Sequence, residues 1–499
     1  MGRTDVRDTR PRSGAVQSVA TPPAPEVLPR QRPAGLAVLL TLLGATLLGT
    51  VINNVVNVPL RDITADLGVS LSSGVLVVSS FVLVLAAGMA LSGWVGDRFG
   101  RRRTIIASLA LMAVAMVGAA LAPSLPVLVS MRALQGLACA AYPPAVMGML
   151  ATIYGPGQRA RTMSAWAAAN GIGQAVGPPL GGLLADFAGW RAIFWCLAPV
   201  AVLLLLATVL VVPNDRGHAA ALHWPGAVTL TLGAALLMTA ATAVPHHLVP
   251  AWLTIALAVA GIGLLVGFAI TSAKAAAPII RPRLIVESRF LRSTVAASAQ
   301  MFCLAATLVA VPLHLTGTLG WTTAVTGLLV LALPAAMAVL APVVGVLSER
   351  GRPRWILRTG LVLLGTAELL LGLYAGSTGR SVAVLVALLL AVGVGVALVQ
   401  TPSAAGATRS PAGRSGAALG LFNMMRFGGS ALGAAWVAVV YPHGDLVLLF
   451  AGCTVIAAVG LVVSFVGPDP SPLDIDRTSP ATTSGGDRGR RPSLSRRAG

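Results

Sequence analysis

The chain has 499 residues, 56% of them hydrophobic, and its 35 basic and 16 acidic side chains make only 10% charged, against about 25% in a soluble globular protein. A soluble chain of this length would fold as roughly three domains with charged surfaces; this excludes a soluble enzyme, a nucleic-acid binder and a fibre, and leaves a protein whose main solvent is lipid. The net charge of +19 and the pI near 11.6 would otherwise suggest nucleic acid, so the placement of the charges decides.

Residues 1–34 are polar and rich in Pro and Arg, lack the apolar stretch of a signal peptide, and predict a disordered cytoplasmic tail. Apolar runs long enough to cross a bilayer, about 20 residues for about 30 Å, then recur fourteen times. They cover approximately 35–58, 73–93, 104–122, 126–150, 162–184, 191–212, 225–244, 250–272, 293–315, 324–347, 355–375, 380–400, 415–440 and 446–467. They are continuous, not alternating, so they read as helices and not barrel strands. Residues 468–499 return to Ser, Pro, Gly and Arg and predict a second disordered tail. An even number of spans puts both tails on one side. The tails and the loops after even-numbered spans hold 30 of the 35 basic residues. The opposite side holds Arg61, Arg191 and Arg380, while Arg132 and Arg426 lie within spans. This asymmetry predicts a multi-pass protein of the cell membrane with both termini cytoplasmic. The excess charge is an orientation signal, not a nucleic-acid footprint.

Span 2 leads into Gly93-Trp-Val-Gly-Asp97-Arg98-Phe-Gly100-Arg101-Arg102-Arg103. A tight turn between spans needs glycine. Asp97 is suited to accept hydrogen bonds from a helix N-terminus or an arginine, and the basic run suits an anionic leaflet. The segment resembles the signature loop of the major facilitator superfamily, G-x-x-x-D-R-x-G-R-R/K. A second copy, Gly345-Val-Leu-Ser-Glu349-Arg350-Gly351-Arg352, follows span 10 after 252 residues. The repeat divides the chain into an N-terminal six-helix bundle, 35–212, two linker helices with a cytoplasmic loop, 213–290, and a C-terminal six-helix bundle, 291–467. Duplicated halves with a site between them are a transporter signature.

Span 4 carries Arg132-Ala-Leu-Gln135-Gly136. An arginine there must face the bundle interior or water, and it resembles the superfamily's R-x-x-Q-G motif, whose arginine is linked to proton coupling. Span 5 carries Gly171-Ile-Gly173-Gln174-Ala-Val-Gly177-Pro178-Pro179-Leu-Gly181-Gly182. Small residues at every fourth position admit a close helix neighbour. The segment is similar to the G-x-x-x-G-P-x-x-G-G motif that marks antiporters in the superfamily. Asp186-Phe-Ala-Gly-Trp190-Arg191, Trp224-Pro-Gly226, Leu319-Gly320-Trp321 and Asn423-Met-Met-Arg426-Phe-Gly428-Gly429 complete a resemblance, over 35–467, to fourteen-helix drug:proton antiporters of the EmrB/QacA type. That group usually has an aspartate in span 1, several residues before N-V-A-L-P. Here the register places Ile52, followed by Asn53, Asn54 and Asn57. Asparagine does not titrate, so a span-1 carboxylate is not the proton carrier.

The resemblance implies an all-α major facilitator fold with fourteen transmembrane helices, and proton-driven efflux of hydrophobic or amphipathic small molecules by alternating access. Candidates for coupling or gating are Arg132, Asp97, Arg98 and Glu368; Glu368 is the only carboxylate well inside a span. Polar side chains of the inner helices are candidates for the substrate cavity: Asn53, Asn54, Asn57, Gln135, Asn170, Gln174, Gln300, Gln400, Asn423 and Arg426. Asn53 with Asn57, and Asn170 with Gln174, are spaced i, i+4 to share a helix face. Gly93, Gly100, Arg101, Gly173, Gly177, Pro178, Gly181 and Gly182 are read as structural. Two arginines and no clear inner carboxylate favour a neutral or anionic amphipathic substrate.

The partners expected are a small-molecule substrate, protons and lipid, with no nucleic acid, metal or cofactor, and a monomeric chain. Cys139, Cys196, Cys303 and Cys453 read as packing residues, and His246-His247 as a solvated outer turn. No Walker A loop or catalytic constellation is present in the sequence. The competing readings are an uptake permease or facilitator of the same fold and, from another class, a membrane scaffold or membrane-embedded enzyme.

Overall fold

The computed structural model describes residues 1–2, 35–154, 158–215, 217, 223–246, 250–275, 278–350, 352–375 and 381–467. The disorder expected of the tails, and the expectations for His247 and Arg380, lie outside these residues. The described residues form helices and no strands. In chain order they are α1 (Leu36–Asn54), a short α2 (Leu60–Asp66), α3 (Leu71–Phe99), α4 (Arg101–Ala120), α5 (Leu125–Ile153), α6 (Arg159–Ala188) and α7 (Arg191–Val211). Then come α8 (Trp224–His246), α9 (Ala251–Lys274) and a short α10 (Pro282–Ile285). The second half holds α11 (Ser288–Leu313), α12 (Thr323–Val330), α13 (Ala332–Arg350), α14 (Pro353–Ala375), α15 (Val382–Arg409), α16 (Gly416–Val440) and α17 (Leu446–Val463).

Each expected span coincides with one helix, except span 10, which is divided at Leu331 into α12 and α13. Among the described residues, eleven helices are long and apolar enough to cross a membrane, and α3, bent by 53°, makes a twelfth. This is consistent with fourteen spans; α6 and α16, the two that do not qualify on composition, carry the glycines, amides and Arg426 that sit between helices.

Within the first half α3 packs on α5, α4 on α5 and α7, and α1 on α6. Within the second, α11 packs on α16 and α14 on α15 and α17. The halves meet along α3–α16 and α6–α13, and α8 lies against α9, α3 and α16. Glycines set two of these approaches. A Cβ on Gly181 would sit 1.8 Å from the Val55 carbonyl oxygen, and one on Gly177 would sit 2.9 Å from Asn54 Cβ, so α6 and α1 touch backbone to backbone. The equivalent pair in the second half repeats this: Gly429 and Gly433 of α16 lie against the Ser298 and Phe302 carbonyls of α11.

Two local expectations are corrected, and the tight turn expected within Gly93–Arg103 narrows to a single residue. The helix runs through Phe99, Gly100 alone turns the chain at φ +95°, and α4 starts at Arg101. α1 ends at Asn54, so Asn57 lies in an exposed turn and shares no helix face with Asn53; Pro59 disfavours continuation because its ring opposes the carbonyl four residues earlier. Cys196 is exposed on α7, so the packing role is left to the three buried cysteines.

Candidate functional site

The signature segment is where the two halves touch. Gly93 of α3 faces the Gly416 backbone of α16; a Cβ on it would fall 2.0 Å from the Gly416 carbonyl oxygen. One turn on, the buried Asp97 carboxylate accepts the backbone N–H of Gly416 through Oδ2. A carboxylate at the first N–H groups of a helix is favoured by the helix dipole and satisfies a donor with no partner inside the helix. Arg101 Nη2 lies 3.5 Å from the other carboxylate oxygen, and Arg101 Nη1 donates to Thr152 Oγ1 at 3.1 Å. Arg98 points out, exposed.

The second copy does the same job with the halves exchanged. Gly345 of α13 packs on Ser164 of α6. One turn on, Glu349 accepts the Arg161 backbone N–H at 3.0 Å and pairs with Arg161 Nε at 2.9 Å. The two contacts form a latch at the ends that carry the basic loops, each half placing a carboxylate on the N-terminal turn of a helix from the other. Arg159 Nη1 adds a bond to the Thr408 carbonyl of the second half.

One latch residue carried no signal in the sequence. Asp215, in the segment after α7, accepts the backbone N–H groups of Arg101 (2.7 Å) and Arg102 (2.9 Å), capping α4. Gly217 fits against the Arg98 carbonyl, and Arg102 reaches back to the Thr208 and Val209 carbonyls at the end of α7. A single aspartate in a polar linker has no periodic or motif context that would mark it.

Deeper in the first half, Arg132 is fully buried. It donates to the Val77 carbonyl (3.1 Å), the Ile52 carbonyl (3.2 Å) and Gln135 Oε1 (2.7 Å), and its guanidinium lies 4.5 Å from the Phe81 ring centre. The position that carries aspartate in the antiporter group thus meets Arg132 through its backbone carbonyl. Gln135 Nε2 turns away to the Ala115 carbonyl, so Gln135 serves Arg132 and the packing of α4. In the second half Glu368 of α14 is also fully buried, with Thr307 Oγ1 of α11 at 2.8 and 3.0 Å from its two oxygens.

The amide candidates divide. Asn54 donates to the Thr50 carbonyl within its own helix, and Asn170 donates to the Trp166 carbonyl and accepts from Thr50. Asn53 and Gln174 are partly exposed. Gln300 and Gln400 are buried, and their amides meet no protein partner among the described residues. Asn423 and Arg426 come together in α16, where Arg426 Nη1 donates to Asn423 Oδ1 at 2.8 Å. Across the seam the Arg426 guanidinium lies 4.9 Å from the Trp166 ring centre of α6, and Asn423 Nδ2 lies 3.3 Å from Met147 Sδ of α5. The structure therefore places Asp97, Arg101 and Glu349 at the latched ends, and brings Asn423, Arg426 and Trp166 together further in. Arg132 and Glu368 each stand inside one half.

Comparison with known proteins fits this doubled arrangement. The Major Facilitator Superfamily model matches residues 34–273 and 294–495. The chain belongs to the major facilitator superfamily. It is 30% identical over 406 residues to the multidrug resistance protein Stp of Mycobacterium tuberculosis, covering 78% of this chain and 74% of that one. It is 30% identical to the puromycin resistance protein pur8 of Streptomyces alboniger, covering 80% of each. It is 28% identical to the tetracenomycin C resistance and export protein of Streptomyces glaucescens, covering 85% of this chain and 78% of that one. In fold, it resembles the human organic anion transporter MFSD10 with a TM-score of 0.63 at 18% identity, over 86% of this chain and 99% of that one. The proton:xylose symporter XylE gives 0.60 at 14% identity, over 85% and 94%.

At the end away from the latch, Asp66 accepts from Arg191 and from Trp190 Nε1. Hydrogen bonding from Arg191, then from Trp190, holds its carboxyl below the usual carboxylate range.

Proposed function

We propose that this multi-pass membrane protein is a drug exporter of the major facilitator superfamily that couples inward proton movement to outward movement of hydrophobic or amphipathic small molecules. The observation that carries the reading is the two-fold latch: Asp97 on the first N–H of α16 and Glu349 on the first turn of α6. Each bond ties one half to the other at the ends that carry the basic loops. Breaking both lets the halves rock and open the central seam to the cytoplasm, which is what alternating access requires. The resistance and export names of its relatives support efflux as the direction. The positive-inside count supports placement in the cell membrane with both termini cytoplasmic. The chain performs no chemistry on its substrate in this reading, and it acts as a monomer of two six-helix bundles, 35–212 and 291–467, with 213–290 as an inserted unit.

For the proton, Glu368 and Asp97 are the buried carboxyl groups among the described residues. Asp97 is committed to the latch, so Glu368 is assigned the proton and Arg132 a gating role within the first half. The test uses inside-out vesicles with an imposed pH gradient and a panel that includes puromycin and tetracenomycin C. The expected result is gradient-driven uptake into the vesicles that a protonophore abolishes and that Glu368→Gln uncouples. Movement that ignores the gradient contradicts proton coupling. Accumulation by intact expressing cells contradicts export.

A further inference from the structure

Arg426 is a cation buried at the seam between the halves without an anion to match it. Only 1% of it is exposed, and it sits ten residues into α16, about 15 Å from that helix's start. Among the described residues its protein acceptor is Asn423 Oδ1, through Nη1. Nε and Nη2 are buried and meet no protein acceptor among the described residues, and none of the ion pairs among those residues involves it. Its guanidinium instead faces the ring of Trp166, a fully buried indole from the other half whose own Nε1 also has no protein acceptor. A buried charge is ordinarily retained only where it is paired. A guanidinium whose fork keeps two N–H groups free matches a planar anionic oxygen group.

Resting on the export reading above, we infer that Arg426, Asn423 and Trp166 form a binding site for an aromatic substrate bearing an anionic oxygen, a carboxylate or an enolate conjugated to a planar ring. With the latch closed, Trp166 covers the guanidinium. Opening the cytoplasmic ends draws α6 away from α16 and exposes both the ring and the two free donors to the cytoplasmic side. The substrate's oxygen then takes Nε and Nη2, its ring takes the place of the indole, and Asn423 holds the guanidinium plane. Reclosure brings Trp166 back to Arg426, and the two compete for the same face, so closure itself displaces the substrate outward. The site thus selects acids over cations and couples release to the joining of the halves.

The experiment is equilibrium binding to the full-length chain in nanodiscs, with 9-anthracenecarboxylate, its neutral carboxamide and tetraphenylphosphonium as probes. The acid is expected to bind at least about tenfold more tightly than the amide, the scale of one hydrogen bond to a charged group, and the cation more weakly than either. Arg426→Gln should remove the preference for the acid over the amide. Arg426→Lys should keep part of it, and Trp166→Leu, which removes the competing ring, should tighten acid binding more than Trp166→Phe. Should Arg426→Gln fail to fold, the wild-type preference decides alone. Equal binding of acid and amide, tighter binding of the cation, or acid binding untouched by Arg426→Gln overturns the site. Vesicle transport separates this from the parent reading. Gradient-driven movement of tetraphenylphosphonium that survives Arg426→Gln contradicts the anion site and leaves export standing. Gradient-driven movement of none of the probes or panel drugs contradicts export itself.

Discussion

The two arms of the latch do the same work with different physics. In the first, Asp97 is buried, its partner is a backbone N–H, and Gly93 lets α3 meet the α16 backbone with no side chain between them. In the second, Glu349 also takes a backbone N–H, but its ion-pair partner Arg161 has a side chain 59% exposed. Solvent competes for an exposed pair and ions screen it, whereas a desolvated cap loses its full partner when cut. The first arm should therefore set how firmly this end is closed, and the second should trim it. The first arm is also braced from the segment after α7, because Asp215 fixes the turn that carries Arg101.

Substitutions grade this difference. Gly93→Ala should have the largest effect, because its Cβ would meet the Gly416 backbone at 2.0 Å, and backbone is hard to move aside. Vesicle transport should be lost although the protein still reaches the membrane. Asp97→Ala leaves the buried Gly416 N–H unsatisfied. It should weaken closure by about 1–3 kcal/mol, read as faster labelling of cysteines placed on the seam at the latch. Asp215→Ala removes a helix cap worth about 1 kcal/mol. Its effect on the same labelling should be less than additive with Asp97→Ala, because both act on one turn. Glu349→Gln should shift closure by about 0.2–1 kcal/mol, and its effect should shrink as salt rises.

The smallest effect belongs to Asp66, at the end away from the latch. A carboxyl held below its unfolded value stabilises the fold above the usual carboxylate range and loses that contribution as pH falls through its lowered folded value. Asp66→Asn should therefore matter at neutral pH and converge with wild type in acid, in a thermal unfolding series.

The parts legible in the sequence were those with a local signature. Continuous apolar runs gave the spans because lipid permits little else. The 252-residue repeat marked both carboxylates of the latch, and the spacing of Gly173, Gly177 and Gly181 marked the close approach of α6 to α1. What each carboxylate touches was not legible. Asp97 and Gly416 are 319 residues apart, and only the packing of one half on the other joins them. The same holds for Arg426 and Trp166, whose helices have periods that fix a face but not the facing partner. Asn57 was misplaced because apolar composition continues past the point where α1 stops. Gln135 was placed in the cavity by its span, and its rotation about α5 gives it to Arg132 instead.

The central claim is that the halves are held together at the ends that carry the basic loops and part during transport. Spin labels at Phe99 and Arg414, both exposed and on opposite halves at that end, measure it directly by pulsed dipolar spectroscopy. The latch predicts one short, narrow distance in the wild-type chain and a second, longer population in Asp97→Ala that grows at the expense of the first. A wild-type distribution that Asp97→Ala leaves unchanged would contradict it.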